Sequence, residues 1–62
     1  MKNKKNENKK VLDLIQYYTS ENGLLLCMFA AADTEKDRRD ILHDIGINNN
    51  AIYELSQELI LA

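Results

Sequence analysis

The chain has 62 residues, one cysteine, no proline and a formal net charge of −2. That length holds one domain, and a domain this small is marginal without an added stabiliser. Cys27 has no partner for a disulfide, and it lies too far in sequence from the single His43 to read as a metal site. Self-association is the stabiliser that remains, so a homodimer is expected. A free thiol fits a reducing compartment.

The charge is unevenly placed. Residues 1–10 carry five lysines against Glu7, a net +4, whereas residues 11–62 carry Lys36, Arg38 and Arg39 against nine acids, a net −6. The Lys/Asn-rich start lacks the apolar residues that would order it. It reads as a disordered basic tail over 1–10, attached to one helical domain over 11–62. Nine apolar residues from Leu24 to Ala32 are too few to span a bilayer, which takes about 20 as a helix. Glu7, Asp13 and Glu21 spoil the charged leader of a secretory signal. The expectation is a cytoplasmic protein without a membrane partner.

The first element in chain order is a helix. Val11, Leu14, Ile15 and Tyr18 follow the i, i+3, i+4, i+7 rule, with Asp13 and Gln16 off that face. Thr19-Ser20-Glu21-Asn22-Gly23 then reads as a break. Asn-Gly is also a hairpin signal, but Leu24-Leu25-Leu26 does not alternate as a strand would. Leu24 to Ala32 is apolar all round, and its Leu, Met and Ala content favours helix. Such a helix must be covered on every side. Leu24, Leu25, Met28 and Phe29 are therefore the expected dimer interface, joined by Ile60 and Leu61 at the end of the sequence.

A third helix is expected to start at Asp33 or Thr34, where Thr34-Glu35-Lys36-Asp37 has the form of a capping box. Arg38, Ile41, Leu42 and Ile45 share one face of it. Gly46 is placed as the left-handed residue after a helix end, and Asn48, Asn49 and Asn50 offer N-caps for a last helix. Ile52, Leu55 and Leu59 line the inner face of that helix. The expected fold is all-α: a small bundle of three to four helices, homodimeric, with a close C-terminal helix pair.

Ile41 and Ile45, then Gly46 and Ile47, then Ile52 and Leu55 repeat the inward and turn positions of a known unit. Over Arg38–Gln57 the chain resembles the helix-turn-helix unit of DNA-binding regulators. The resemblance implies an outward second helix carrying Asn49, Asn50, Tyr53 and Gln57 as base readers, with Arg38 and Arg39 as phosphate clamps. Where the family usually has a small residue this chain has Leu42. From Asp40 onward it has four acids and no Lys or Arg, whereas duplex affinity comes largely from basic side chains.

That charge favours protein over nucleic acid as the partner. The leading expectation is a small regulatory protein of the antirepressor or inhibitor type. It would bind another protein through an acidic helical face made of Tyr53, Glu54, Gln57 and Glu58, on a basic counter-surface. The alternatives are a sequence-specific DNA-binding regulator and a self-associating assembly subunit. Asp33, Glu35, Asp37, Asp40 and Asp44 lack the spacing of a calcium loop and read as a solvated helix face. No nucleophile–base pairing, phosphate-binding glycine loop or metal motif is visible. The chain is not expected to be an enzyme or to hold a cofactor.

Overall fold

A computed structural model describes residues 4–59, with side chains described from Glu7 onward. It contains two helices, α1 over Lys4–Ala31 and α2 over Glu35–Gln57, joined by residues 32–34. They pack antiparallel into a rod with principal extents of 53 × 15 × 13 Å. The described residues thus form two helices and not the three to four expected. The segment expected to be a free basic tail is helical from Lys4 onward.

Both merged helices have one cause. In α1 the residues facing α2 are Asn8, Val11, Ile15, Tyr18, Asn22, Leu25, Phe29 and Ala32; each is partly shielded from solvent. In α2 the corresponding row is Arg38, Ile41, Ile45, Asn48, Ile52, Leu55 and Leu59. Both rows advance by alternating steps of three and four. This is the seam of an antiparallel coiled coil. A turn at Asn22-Gly23 or at Gly46 would rotate every later seam residue away from the partner helix. Glycine inside a helix costs about 1 kcal/mol relative to alanine, and the continuous seam outweighs that. Gly46 accordingly has no positive φ, and α2 runs straight through it. The helix-turn-helix pair is not formed.

Side-chain hydrogen bonds between the helices and at their connection fix the register. Asn48 Nδ2 donates to Asn22 Oδ1 at 3.0 Å, and Arg38 Nη1 donates to the Ala32 carbonyl at 3.0 Å. This alignment sets Leu25 across from Ile45, Phe29 across from Ile41, and Tyr18 across from Ile52. Asn22 Nδ2 also donates to Asn49 Oδ1 at 2.9 Å. The asparagines that read as turn and cap residues therefore spend their side chains on one another, in a polar layer amid the apolar seam. Polar layers in a coiled-coil seam fix register and partner number at a cost in stability. Replacing both Asn22 and Asn48 with Leu should raise the thermal midpoint. It should also broaden the distribution of oligomers in sedimentation experiments.

Thr34 caps α2 as expected: its hydroxyl accepts from the Asp37 amide at 3.1 Å. The last turn of α1 has no basic residue of its own. Arg38 supplies the cation from across the connection, through its bond to the Ala32 carbonyl, where the negative end of a helix favours it. Thr34→Ala should cost about 1 kcal/mol, read as a lower thermal midpoint with the helical spectrum unchanged at low temperature.

Only Ile41 is buried among the described residues, at 8% exposure. A pair of helices has one contact line and cannot enclose a core. Leu12, Leu14, Tyr17, Leu24, Leu26, Met28, Leu42, Ile47 and Tyr53 remain exposed as a result.

Candidate protein-binding groove

The seam leaves two long sides to the hairpin, and they differ in charge. One side carries the α2 positions Asp37, Asp40, Asp44, Ile47, Ala51, Glu54 and Glu58, which again step by three and four. Beside them on α1 lie Glu7, Lys10, Leu14, Tyr17, Glu21, Leu24 and Met28. Seven of the chain's ten acids stand on this side, and its described cations are Lys10 and the Lys36 ammonium held by Asp40. The other side carries Leu12, Gln16, Thr19, Gly23, Leu26 and Ala30 from α1, with Leu42, Gly46, Asn49, Tyr53 and Ser56 from α2. Its charges, Lys9, Glu35 and Arg39, are confined to the two ends.

A groove runs along the acidic side. Its upper part, of about 360 Å³, is lined by Leu25, Met28, Ala32 and Ile41, with Asp37, Asp40 and Asp44 on the rim. A lower part of about 210 Å³ shares Leu25 and Asp44 and adds Glu21, Ile47 and Asn48. Each component follows from the coiled-coil geometry. Leu25 and Ile41 are seam residues seen from the side, Met28 flanks the seam, and the aspartates project from the adjoining stripe of α2. The floor is apolar and the rim anionic.

Lys36 Nζ donates to Asp40 Oδ2 at 2.8 Å. That bond, more than the charge alone, holds the Asp40 carboxyl below the usual aspartate range and the Lys36 ammonium above the usual lysine range. Both groups are fully exposed, so the pair contributes little to stability. A similar pair, Lys9 to Asp13 at 3.1 Å, lies on the outer face of α1.

The residues singled out from sequence fall in several places. Glu54 and Glu58 continue the acidic stripe beyond the groove, while Tyr53 lies on the uncharged side and Gln57 on the outer surface of α2. Arg38 is engaged with the Ala32 carbonyl and Asn49 with Asn22, and neither projects freely from a recognition helix. Arg39, Asn50, Tyr53 and Gln57 are exposed along the single α2. Of the expected dimer residues, Leu25 and Phe29 face α2 within the same chain, and Leu24 and Met28 are exposed on the acidic side. Ile60 and Leu61 lie outside the described residues. Sequence reading missed the combination of Leu25, Met28 and Ile41 with Asp37, Asp40 and Asp44. The signal was the 37-40-44 spacing, one helical stripe beside the 41-45 seam.

Among the described residues no three His, Cys, Asp or Glu side chains converge as metal ligands. No described helix is long and apolar enough to cross a membrane. Comparison with family models, with curated proteins and with solved structures found no match.

Proposed function

We propose that this chain is a small regulatory protein that acts by binding another protein, in the manner of an inhibitor or antirepressor, and that the groove is its binding site. The observation that carries this reading is the apolar floor of Leu25, Met28 and Ile41 under the Asp37, Asp40 and Asp44 rim. An amphipathic helix with a Leu-rich face and flanking Lys or Arg fits it. The helix would lay its apolar face on the floor as a third strand of the coil, with its basic side chains over the aspartates. The exposed Leu14, Tyr17, Leu24 and Ile47 would extend the apolar contact along the same side.

A labelled 18-residue Leu/Lys amphipathic peptide tests this, with its Leu/Glu counterpart as control. Fluorescence anisotropy should show the Lys peptide binding at least ten-fold tighter at low salt, with the difference shrinking as salt rises. Equal affinity for the two peptides, or no binding of either, would refute the reading. Retention of duplex DNA at the same concentrations would replace it with the nucleic-acid alternative.

A further inference from the structure

The hairpin exposes more surface than a folded monomer of its size. A compact monomer of 7.2 kDa shows about 4,100 Å², against 5152 Å² for this chain. The surplus of about 1,000 Å² is comparable with the roughly 800 Å² that each partner of a standard interface covers. We infer that a second copy of this chain covers the side bearing Leu12, Leu26, Leu42 and Tyr53, giving a four-helix bundle of two hairpins.

Charge selects that side over the acidic one. Self-pairing is isologous, so each face meets itself. Pairing through the groove side would set seven acids of one copy against the same seven of the other. The opposite side has no charge between its ends, and Leu12, Leu26, Leu42 and Tyr53 are 47%, 58%, 51% and 67% exposed there. The intramolecular packing leaves this side open. Besides the seam residues, the partly shielded positions are Glu7, Glu21 and Ala51, all on the groove side. Gly23 and Gly46 lie at the same level of the two helices and both belong to the uncharged side. A Cβ added at either would meet nothing within 4 Å. The hairpin itself therefore does not require these glycines, whereas a neighbouring hairpin that approaches closely would.

This arrangement places the two acidic grooves on opposite outer faces of the dimer. If the groove reading holds, the assembly is bivalent, and a partner with two basic helices would be held by an effective-concentration gain. The dimer itself does not rest on the groove reading.

Sedimentation equilibrium over about 1–500 μM tests the inference with no peptide present. The wild-type chain should sediment at twice its 7.2 kDa mass. Gly46→Arg is the decisive variant. Arginine is the better helix former and has open space within the hairpin, so helicity per chain should hold or rise. The dimer dissociation constant should increase at least 100-fold, because bulk and charge enter the centre of the interface. Leu24→Arg, on the groove side, should change it by less than three-fold. A monomer throughout the range, species larger than a dimer, or Gly46→Arg dimerising as the wild type does would each overturn the inference. So would dissociation by Leu24→Arg in place of Gly46→Arg. If Gly46→Arg lost helicity, Gly23→Arg, in the same notch on α1, supplies the second reading with the same expected and overturning results.

Discussion

Ile41→Ala should lower the thermal midpoint of the helical circular dichroism more than any other single truncation among the described residues. Ile41 is the one buried apolar residue among those described, and it keeps 8% exposure. It sits across from Phe29 near the connected end, where the two helices are held closest in sequence. Truncating a buried Ile costs about 2–5 kcal/mol, and the partial shielding here places the effect at the lower end. Stability of about 0.05–0.15 kcal/mol per residue gives a chain this short only about 3–9 kcal/mol in total. A loss of about 2–3 kcal/mol is then a large share of what exists. Leu24→Ala provides the contrast. Leu24 is 66% exposed, alanine is the better helix former, and the change should stay within about 0.5 kcal/mol. Thermal melts at one fixed chain concentration measure both. Similar losses for the two variants would mean that the seam does not hold the fold.

The position of that core was only partly legible in the sequence. Helix was expected and found over 11–18, 24–31, 35–45 and 51–57, while the expected tail over 1–10, the break at 19–23 and the turn at Gly46 are helical wherever described, and Thr34 was one of two expected starts for the helix that it caps. What the sequence hid was continuity. The seam row of α1 passes through Asn22 and that of α2 through Asn48, and a polar residue amid an apolar row looks like the end of the row. Beside each stands a glycine, Gly23 or Gly46, which strengthens the appearance of a turn. Asparagine caps helices because its side chain competes for nearby backbone groups. Here the competition is settled across the hairpin, since Asn22 bonds to Asn48 and Asn49, 26 and 27 residues away in sequence. A local reading has no access to such a bond. Had the apolar rows been followed in steps of three and four through the asparagines, two long helices would have emerged.

The groove was hidden for a related reason. Asp37, Asp40 and Asp44 project from α2 as an ordinary solvated stripe, and nothing in that helix alone marks them as a rim. They become one because Leu25 and Met28 of α1 pass alongside. The expected binding residues Glu54 and Glu58 belong to the same stripe. Of the residues in the dimer expectation, Leu24 and Met28 are exposed on the acidic side, whereas Leu25 and Phe29 belong to the seam. With three or four helices, Leu24–Ala32 looked like a central segment in need of cover on all sides. In a hairpin its residues divide among the seam, the acidic side and the uncharged side, and each has a different neighbour to find.

Reversing two groove charges, Glu21→Lys with Asp44→Lys, should weaken the basic peptide by about 30- to 100-fold at low salt while leaving the hairpin folded. The pair is chosen for its surroundings. Both residues line the lower groove, and Asp44 lines the upper groove as well. Glu21 has no charged residue three or four positions away in α1. Lys at position 44 would follow Asp40 by four, a favourable spacing in a helix, and the Lys36–Asp40 pair is untouched. An attraction between unit charges about 6 Å apart in water is worth about 0.7 kcal/mol, and reversal turns it into a repulsion of similar size. Two reversals therefore amount to about 2–3 kcal/mol, which is the stated factor. At 0.15 M salt the screening length is about 8 Å, so the effect should fall to several-fold and lie mostly in the association rate. Glu54→Lys with Glu58→Lys separates the two candidate positions along the stripe. Glu54 is ten residues from Asp44, about 15 Å along the helix, so an 18-residue peptide helix about 27 Å long that is seated in the groove meets it only with one end. At 0.15 M salt such a peptide should lose less from that change than from Glu21→Lys with Asp44→Lys. A larger loss than from Glu21→Lys with Asp44→Lys would move the binding site to the far end of α2, around Tyr53, Glu54, Gln57 and Glu58. Equal tolerance of both double variants would remove the acidic stripe from the account of binding altogether.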